Sequence, residues 1–552
     1  VCNTLPNSKK QITMTDSADN KPSQLLFWGC FIALITTSFG FITRMFLFGD
    51  ATFYEGKLGL DSVEAGRYRG IQIWPFAVSI ILFSLIIDRV GYKFSMIFAA
   101  ACQIIWAVMG IWGVSIAGTN PELAKPLLYW GGLILALGNG TVEAFINPVV
   151  ATMYTKDKTK WLTILHAGWP AGLVVAGIIT IVLKDASWSL KLGVILIPAV
   201  MYLLMLIKET FPVQERVASG VSYKDMLKEF GAFGALVVGF LVFLQLDQEF
   251  TTADGETPHR NLIAIFCGIT VIAFGIYTFS LGRPLMGLCV LIMAPLATTE
   301  IGTDGWIEEL LKGVVPEGFD SGWVLVYTSV IMMGLRFLAG PIVHAFKPIP
   351  LLILSSALAI VGLWTLSMPS GLFLLFVTAT LYALGKTFFW PTMLGIVSEQ
   401  TPKGGALTLN AVSGIGMLAV GVLGFPYIGK LKSDVEIKEV VALEESASVP
   451  GLIADGSISS NLLEEKDMYL KTIKYKNIIS DEIDKVLAKA DKETQEKIAK
   501  TREVSPQRAL KNMAVFPLIM LVAYILMYLY FRSKGGYKPI ELDSGGGSSS
   551  DD

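Results

Sequence analysis

The sequence predicts an all-α, polytopic membrane protein made of two pseudo-symmetric six-helix bundles with two extra helices between them. Three observations support this class. Of the 552 residues, 53% are hydrophobic and 16% are charged, whereas soluble domains have about 25% charged residues. Fourteen apolar runs have the length of about 20 residues that spans a hydrocarbon core. A repeated motif, given below, relates the first six runs to the last six.

The fourteen runs fall into three groups. The first six lie near residues 25–49, 71–88, 94–117, 127–154, 160–183 and 188–207. The seventh and eighth lie near 231–247 and 261–281, and the first of these is short enough to be an interfacial helix instead. The last six lie near 285–300, 322–342, 349–367, 371–396, 405–428 and 511–531.

These runs define the expected domains. In chain order they are a cytoplasmic N-terminal segment 1–24, a six-helix bundle 25–210, a linker with two additional membrane helices 211–283, five helices of the second bundle 284–428, an extracytoplasmic insert 429–508, the last membrane helix 509–532 and a flexible cytoplasmic tail 533–552. The opening residues lack the apolar core of a signal peptide, and Met14 is an alternative start.

The charges of the short loops predict the orientation. If fourteen helices alternate, one side collects Arg89, Lys93, Lys156, Lys158, Lys160, Arg216, Lys224, Arg283, Lys347, Lys403 and Arg532. The other side collects Asp50, Glu55, Asp61, Glu64, Asp247, Glu249, Asp254, Glu256, Glu308, Glu309, Glu317 and Asp320. Short cytoplasmic loops are rich in Lys and Arg. We therefore expect a multi-pass protein of the cell (inner) membrane with both termini in the cytoplasm.

The insert 429–508 is placed outside by the helix count, and loops longer than about 60 residues follow the charge rule poorly. Its second half, 478–501, has the pattern of an amphipathic helix with Ile483, Val486, Leu487 and Ile498 as apolar points. The insert is interpreted either as a cap or partner site or as a simple solvated excursion.

The fourth run contains the most informative polar stretch, Gly138–Pro148. Glu143 lies in it with Asn139 one helical turn before and Asn147 one turn after, on the same face. A charge at the centre of a bilayer costs about 2.5–3.5 kcal/mol on insertion scales. Pro148 also frees a backbone carbonyl there. The stretch predicts the wall of a polar cavity in which solute hydroxyls lie beside a titrating carboxyl; the alternative is a buried structural carboxylate.

An internal repeat relates the two ends of the chain. Aligning Pro148 with Pro391 places Glu143 opposite Lys386 and brings the short basic loops that follow into register. Parallel six-helix halves that hold solute between them near the midplane are typical of one large class of secondary transporters. Lys386 is therefore a cavity candidate that could pair with Glu143 in one state, with packing as the alternative.

A family resemblance supports this architecture. The loop after the second run, Ser84-x-x-x-Asp88-Arg89-Val90-Gly91-Tyr92-Lys93, resembles the signature loop of the major facilitator superfamily. Glu143-Ala-Phe-Ile-Asn147-Pro148 and Phe389-Trp390-Pro391-Thr392 resemble the fourth-helix and tenth-helix motifs of the fucose:proton symporter group of sugar transporters. The resemblance implies a rocker-switch symporter in which Glu143 helps to bind sugar and proton. That group also has an acid in its first helix, where this chain has Arg44 and, at the outer end, Asp50.

The remaining candidates have a functional and a plain interpretation each. Arg44 binds in the cavity or extends to the outer surface. His166 relays protons or is a satisfied interhelical histidine, and Trp169 and Trp390 stack on a sugar or fill the core. For gating, Asp88, Arg89 and Gly91 are expected at the cytoplasmic gate, or serve only to orient the chain. Glu300 and Asp304, at the outer end of the ninth run, belong to a gate or a solvated rim.

Several function classes are disfavoured. The net charge of -2 and the lack of a long basic block give no sign of nucleic-acid binding. No metal-binding Cys pair, zinc-protease or nucleophile motif is present, so we expect neither an enzyme nor a cofactor. The expected partners are a small solute, a proton and the lipid bilayer, and the expected state is a monomer. Alternatives are a uniporter, a transporter of nucleosides or organic acids, and a non-transporting sensor.

Overall fold

The computed structural model describes residues 23–60, 65, 68–252, 256–368 and 371–542. Among these residues, thirteen helical segments are long and apolar enough to cross a membrane, and a pair of helices bent by 71° makes a fourteenth. The predicted helix count is therefore confirmed, with twelve spans in two halves and two between them. The expected loop acids Asp61, Glu64 and Asp254, most of segment 1–24 and the end of the tail lie outside the described residues.

The first six spans form the N-terminal half. Its helices are α1 (Gln24–Leu47), α2 (Ala51–Tyr54), α3 (Trp74–Val90), α4 (Tyr92–Ile116), α5 (Pro121–Met153), α6 (Lys158–Leu165), α7 (Gly168–Val182), α8 (Trp188–Gly193) and α9 (Leu196–Leu206). The fifth span is broken between α6 and α7, because Pro170 cannot donate to the carbonyl of His166 one turn earlier. At this break the His166 carbonyl loses its usual helical donor and accepts instead from the Trp169 amide at 3.3 Å.

Two further spans follow a short helix of the linker. They are α11 (Tyr223–Glu249) and α12 (Arg260–Thr278), after α10 (Glu215–Ala218). Gly231 has φ 64° and ψ -178° and kinks α11, a left-handed conformation that suits glycine. Because α11 is 27 residues long and apolar enough to cross the membrane, the alternative of a short interfacial helix is not supported.

The C-terminal half has the same number of spans. Its helices are α13 (Pro284–Ala297), α14 (Thr303–Leu311), α15 (Gly322–Phe337), α16 (Ala339–Phe346), α17 (Pro348–Leu366), α18 (Leu372–Lys386), α19 (Phe389–Gln400), α20 (Gly405–Ala419), α21 (Phe425–Ala442) and α25 (Val515–Ser533). A π-helical turn, Thr298–Gly302, joins α13 to α14, and another, Val420–Gly424, joins α20 to α21. The halves meet where α20 packs on α3, α15 on α7 and α19 on α6.

The insert is a folded unit. It continues from α21 through α22 (Glu444–Ser448), β1 (Ile453–Ala454), β2 (Ser457–Ile458), β3 (Leu463–Met468), β4 (Ile473–Ile478), α23 (Ser480–Leu487) and α24 (Lys492–Met513). The strands form two antiparallel hairpins, with Ile453 opposite Ile458 and Leu463 opposite Ile478. A separate apolar core holds the insert together and contains Val440, Val449, Leu452, Ile458, Leu462, Ile483, Leu487 and Ile498.

The insert buries its own apolar core and adds short strands to a fold that is otherwise helical, as predicted. The single amphipathic helix over 478–501 is two helices, since the side chain of Asp491 caps a new helix start by accepting from the Thr494 amide at 3.0 Å.

Candidate functional site

Glu143 lies buried on α5 at one end of a chain of polar side chains that has Asn147 at its centre. The Asn147 amide donates to Glu143 Oε2 at 2.8 Å, and Asn147 Oδ1 lies 3.0 Å from His166 Nε2. Asn147 Nδ2 also approaches Asn410 Oδ1 of α20 at 3.5 Å. Glu143 forms no salt bridge with any residue that the structure describes. The chain thus joins a carboxyl without a cation to both halves of the protein.

A proline explains why Asn410 reaches α5. Pro148 has no amide hydrogen for the carbonyl of Ala144 four residues earlier, and Asn410 Nδ2 donates to that oxygen at 2.8 Å. A buried carbonyl without a donor is costly. The side chain of one half therefore satisfies a backbone group of the other.

Arg336, on α15, fulfils the same role at two further carbonyls. Its Nη1 donates to His166 O and its Nε to Thr387 O, both at 2.8 Å. Pro170 and Pro391 stand four residues after these carbonyls, so neither receives the usual helical donor. Arg336 Nη2 completes the set with a 2.7 Å salt bridge to Glu300 Oε1. The fully buried guanidinium thereby links α7 of the N-terminal half to α13–α14 and α18–α19.

Sequence reasoning missed Arg336. The available signal was a cation inside the apolar run 322–342, since charged residues within a span face the protein interior and have partners. Asn410 was missed as well, and its signal was a single amide inside the apolar run 405–428.

The acids of the ninth span lie deeper than expected. The helical segment continues to Val314, so Glu300 is near its middle, in the π-helical turn, and not at an outer end. Glu300 Oε2 accepts from the backbone amide of Trp390 at 3.2 Å. Asp304 forms a buried salt bridge with Lys386. In this conformation the partner of Lys386 is therefore Asp304 of its own half, and not Glu143.

Arg44 is fully buried and does not extend to the surface. Its guanidinium lies over the rings of Phe48 and Trp106, at 5.2 and 5.6 Å, and donates weakly to Leu128 O at 3.4 Å. Nε and Nη1 have no hydrogen-bond partner among the described residues. Arg44 makes neither a hydrogen bond nor a salt bridge to Glu143, so the structure does not bring these two candidates together.

The other expected solute residues have protein partners. Asn139 accepts from Gln103 Nε2 at 3.0 Å and donates to Thr37 O at 3.3 Å, which ties it to helices of its own half. Trp169 is half-buried and packs its ring on Phe41 at 5.7 Å. Asn139 thus lies one turn from Glu143 with its amide engaged, whereas Asn147 bonds to Glu143 directly.

The gating residues of the signature loop pair with the linker. Asp88 forms a salt bridge with Arg216, whose Nη1 also donates to Val221 O at 2.6 Å. Arg89 lies over the ring of Tyr223 at 5.0 Å. Gly91, with φ 82°, makes the turn between α3 and α4.

The two halves are joined at this same end of the molecule through Glu399, which sequence reasoning also missed. Thr159 of α6 donates to Glu399 Oε1 through its hydroxyl at 2.5 Å and through its amide at 3.3 Å. The C-terminal tail binds the same residue, with Tyr537 Oη donating to Oε2 at 2.7 Å and the Ile540 amide to the backbone carbonyl at 2.8 Å.

The arrangement can exchange protons and hydrogen bonds. Among the described residues, no group of three or more His, Cys, Asp or Glu side chains could hold a metal ion. The site offers instead one carboxyl without a cation, an imidazole, and amides supplied by both halves. Such groups bind hydroxyl or amide functions of a solute and hold or release a proton.

Comparison with known proteins identifies the family. No curated protein matches the sequence. By structure, the chain resembles an auto-inhibited POT family peptide transporter, with TM-score 0.53, 12% identity and coverage of 94% of this chain and 98% of that one. It also resembles the proton:xylose symporter XylE bound to 6-bromo-6-deoxy-D-glucose, with TM-score 0.52, 15% identity and coverage of 74% and 90%. The E. coli fucose:proton symporter FucP gives a TM-score of 0.48 at 13% identity, with coverage of 89% of this chain and 98% of that one.

Identities this low show the fold alone. The sequence profile described as Major Facilitator Superfamily, however, matches residues 30–425, which is well over half of the chain. The protein therefore belongs to the Major Facilitator Superfamily of membrane transporters.

Proposed function

We propose that this transporter moves a small polar solute, specifically a sugar, by alternating access and in symport with a proton that Glu143 carries. The single observation that supports the proposal most is the unpaired burial of Glu143. Three carboxyls are compared on the membrane-spanning helical segments: Glu300 has Arg336 as its partner and Asp304 has Lys386. Within the described part of the chain, the Glu143 side chain has only the neutral amide of Asn147 within hydrogen-bond distance.

This difference in pairing separates their roles. An ionised carboxylate without a cation is costly in a dry interior, so burial favours the protonated form of Glu143. Glu300 and Asp304 differ from Glu143 in that each has a cation as its partner. Glu143 can then take up a proton when its side of the cavity is wet and carry it, neutral, through the closed state.

Solute binding would use the amides that now bind each other. Asn147 and Asn410 belong to opposite halves and are in contact at 3.5 Å. A hydroxylated solute between them can replace this contact with better hydrogen bonds to both amides, which links solute binding to the relative position of the halves. Because Asn147 also bonds to Glu143, the bound solute lies next to the proton.

Two observations favour a sugar over other solutes, one from the chemistry of the site and one from the fold. Neutral amides and an imidazole suit hydroxyl groups, and the fold resembles that of a proton:xylose symporter. Nucleosides, organic acids and, given the likeness to a peptide transporter, short peptides are the competing classes. A thermal-shift screen of the purified protein against all four separates them, since a ligand at 100 times its Kd stabilises by about 2.7 kcal/mol.

We also propose the orientation and state of assembly. The even helix count and the loop charges support a cytoplasmic position for both termini. The proposed location is the inner membrane, and the proposed state is a monomer. The Asp88–Arg216 and Thr159–Glu399 contacts then lie on the cytoplasmic side, and the insert lies outside. A uniporter would have the same architecture without the coupling, and a sensor would bind solute without moving it.

The test is Glu143→Gln in proteoliposomes, with the solute that the screen identifies. Glutamine keeps the shape and the bond to Asn147 but cannot ionise. We expect uphill accumulation driven by a pH gradient to be lost while exchange of labelled solute across the membrane remains. Glu256→Gln, the same substitution at an exposed loop residue, is the control. If Glu143→Gln still concentrates solute on a proton gradient alone, the coupling assignment is wrong, and Asp50, His166 and Glu300 become the candidates.

A further inference from the structure

A large cavity lies at the end of the molecule opposite the Asp88–Arg216 contact. Its volume is about 1010 Å³. Tyr68 lines it at one end of the second span, and Asp88 lies at the other end of that span. The remaining walls come from the start of α5, from the loop ends of α11 and α12, and from the π-helical turn Val420–Gly424. The cavity, which we name the vestibule, therefore touches both halves and the extra helices.

The hairpin β3–β4 of the insert covers the vestibule. At its tip, Tyr469, Leu470 and Lys471 all have positive φ, of 50°, 60° and 65°. Three consecutive non-glycine residues in this region are costly and persist only when their surroundings hold them. Here the Tyr469 hydroxyl donates to Leu423 O in the π-helical turn at 2.6 Å, and the core of the insert supports the strands. The hairpin is thus held over the vestibule by specific contacts.

The lining is polar, aromatic and balanced in charge. Among the described residues, Lys125, Arg260, Lys466 and Lys471 face Asp247, Glu249, Glu465 and Asp467. Some are already paired, as Arg260 is with Asp247 at 2.6 and 3.0 Å. The side chains of Asp467 and Lys471 make no hydrogen bond or salt bridge with any residue that the structure describes. Balanced charge gives no preference for an anion or a cation.

The other lining groups suit hydroxylated rings. Tyr129 and Tyr475 present aromatic rings with a polar tip, and Gln245 and Gln248 present amides that can both donate and accept. The volume is at the upper end of the range of about 300–1,000 Å³ for small-molecule sites. It is sufficient for one or two sugar rings with their water.

We propose that the vestibule is a second solute site, which binds a mono- or disaccharide on the side of the membrane that carries the insert before the sugar reaches Glu143. This proposal rests on the sugar assignment made under the proposed function. Because the vestibule is bounded by both halves, its shape changes when they move, and occupancy and transport state influence each other.

The test uses a fluorescent reporter on the full-length protein. Lys476, exposed on β4 beside Tyr475, is replaced by Cys and labelled; Cys2 is replaced by Ser, and Cys30, Cys102, Cys267 and Cys289 are buried. D-glucose and maltose are titrated, with sodium glutamate as the charged comparison. We expect a saturable signal with a sugar, at a Kd of about 1 mM, and none with glutamate.

Matched variants locate the site. Tyr475→Ala and Gln248→Ala should weaken binding about tenfold, or 1.4 kcal/mol. Tyr528→Ala, at an exposed tyrosine of the last span, should leave it unchanged. No saturable signal with either sugar, an equal signal with glutamate, or full binding in both vestibule variants would overturn the proposal. If the fluorescence signal saturates with a sugar but no sugar uptake is measured, the vestibule site stands and the proposed function is rejected. If uptake is measured but the signal does not saturate, the proposed function stands and the vestibule site is rejected.

Discussion

The side-chain amide of Asn410 donates a 2.8 Å hydrogen bond to the backbone carbonyl of Ala144, across the boundary between the two halves. The carbonyl is available because Pro148 lacks an amide hydrogen. Ordinary transmembrane packing uses small side chains and dispersion between helices. Here α20 of one half supplies the hydrogen-bond donor that α5 of the other half lacks. Separation of the halves therefore leaves the Ala144 carbonyl unsatisfied unless water or solute replaces Asn410.

The first prediction tests this bond. Asn410→Ala should lower the free energy of unfolding by about 1–3 kcal/mol, the cost of leaving a buried acceptor unpaired, measured by thermal unfolding in detergent. Ser413→Ala, one turn further on α20, is the control: its hydroxyl is buried with no partner among the described residues, so its removal should cost little. Equal losses in the two variants would show that α20 tolerates no truncation and that the bond has no special role.

The second prediction concerns Arg336 and Glu300. Arg336→Met should destabilise by about 3–5 kcal/mol, because it leaves the Glu300 carboxylate buried without its cation. The double variant Arg336→Met/Glu300→Leu should recover part of that loss, since neither charge then remains. Thermal unfolding of both singles and the double gives the coupling energy. A double loss equal to the sum of the singles would contradict a direct interaction.

The third prediction concerns Asp88. Asp88→Asn should slow transport more than it weakens solute binding, because Asp88 pairs with Arg216 of the linker and makes no hydrogen bond or salt bridge with Glu143. Its loss then shifts a conformational population and removes no contact with solute. Arg216→Gln should have the same effect, and the double variant should be no slower than either single. Initial uptake rates and equilibrium binding are compared; equal losses in both would reject the gating role.

The fourth prediction concerns topology. Single cysteines at Glu256 and Ser480, both exposed, should react with an impermeant maleimide added outside intact cells. A cysteine at Lys156, exposed in the loop between α5 and α6, should react only after the membrane is opened. Lys158, the first residue of α6, is unsuitable because it is buried in a 2.5 Å salt bridge with Glu215. Reaction of the Lys156 position alone from outside would invert the proposed orientation.

The sequence was sufficient for the membrane architecture. Each span is a long apolar run, a local property that needs no knowledge of partners, and the alignment of Pro148 with Pro391 also holds in space. The carbonyl that each proline frees, Ala144 O or Thr387 O, receives a side chain from another helix.

The sequence alone could not predict which charged residues pair with each other. The Arg336–His166 contact joins residues 170 positions apart, and nothing local indicates which carbonyl a buried guanidinium will find. Lys386 pairs with Asp304 because the π-helical turn and the continuation of the span to Val314 place that acid inside the protein. In the sequence, the apolar run stops at Glu300 because the residues after it are polar, although the helical segment continues to Val314.

The docking of the C-terminal tail on Glu399 has a practical consequence for expression and labelling. Tyr537 and Ile540 bind beside the contact between the halves, so a reporter or purification tag attached directly after Ser533 would displace them and would alter the transport cycle that it is meant to follow. Attached after residue 542, the same fusion leaves both contacts in place, and fusions at the two positions should differ in turnover even though every membrane helix is intact.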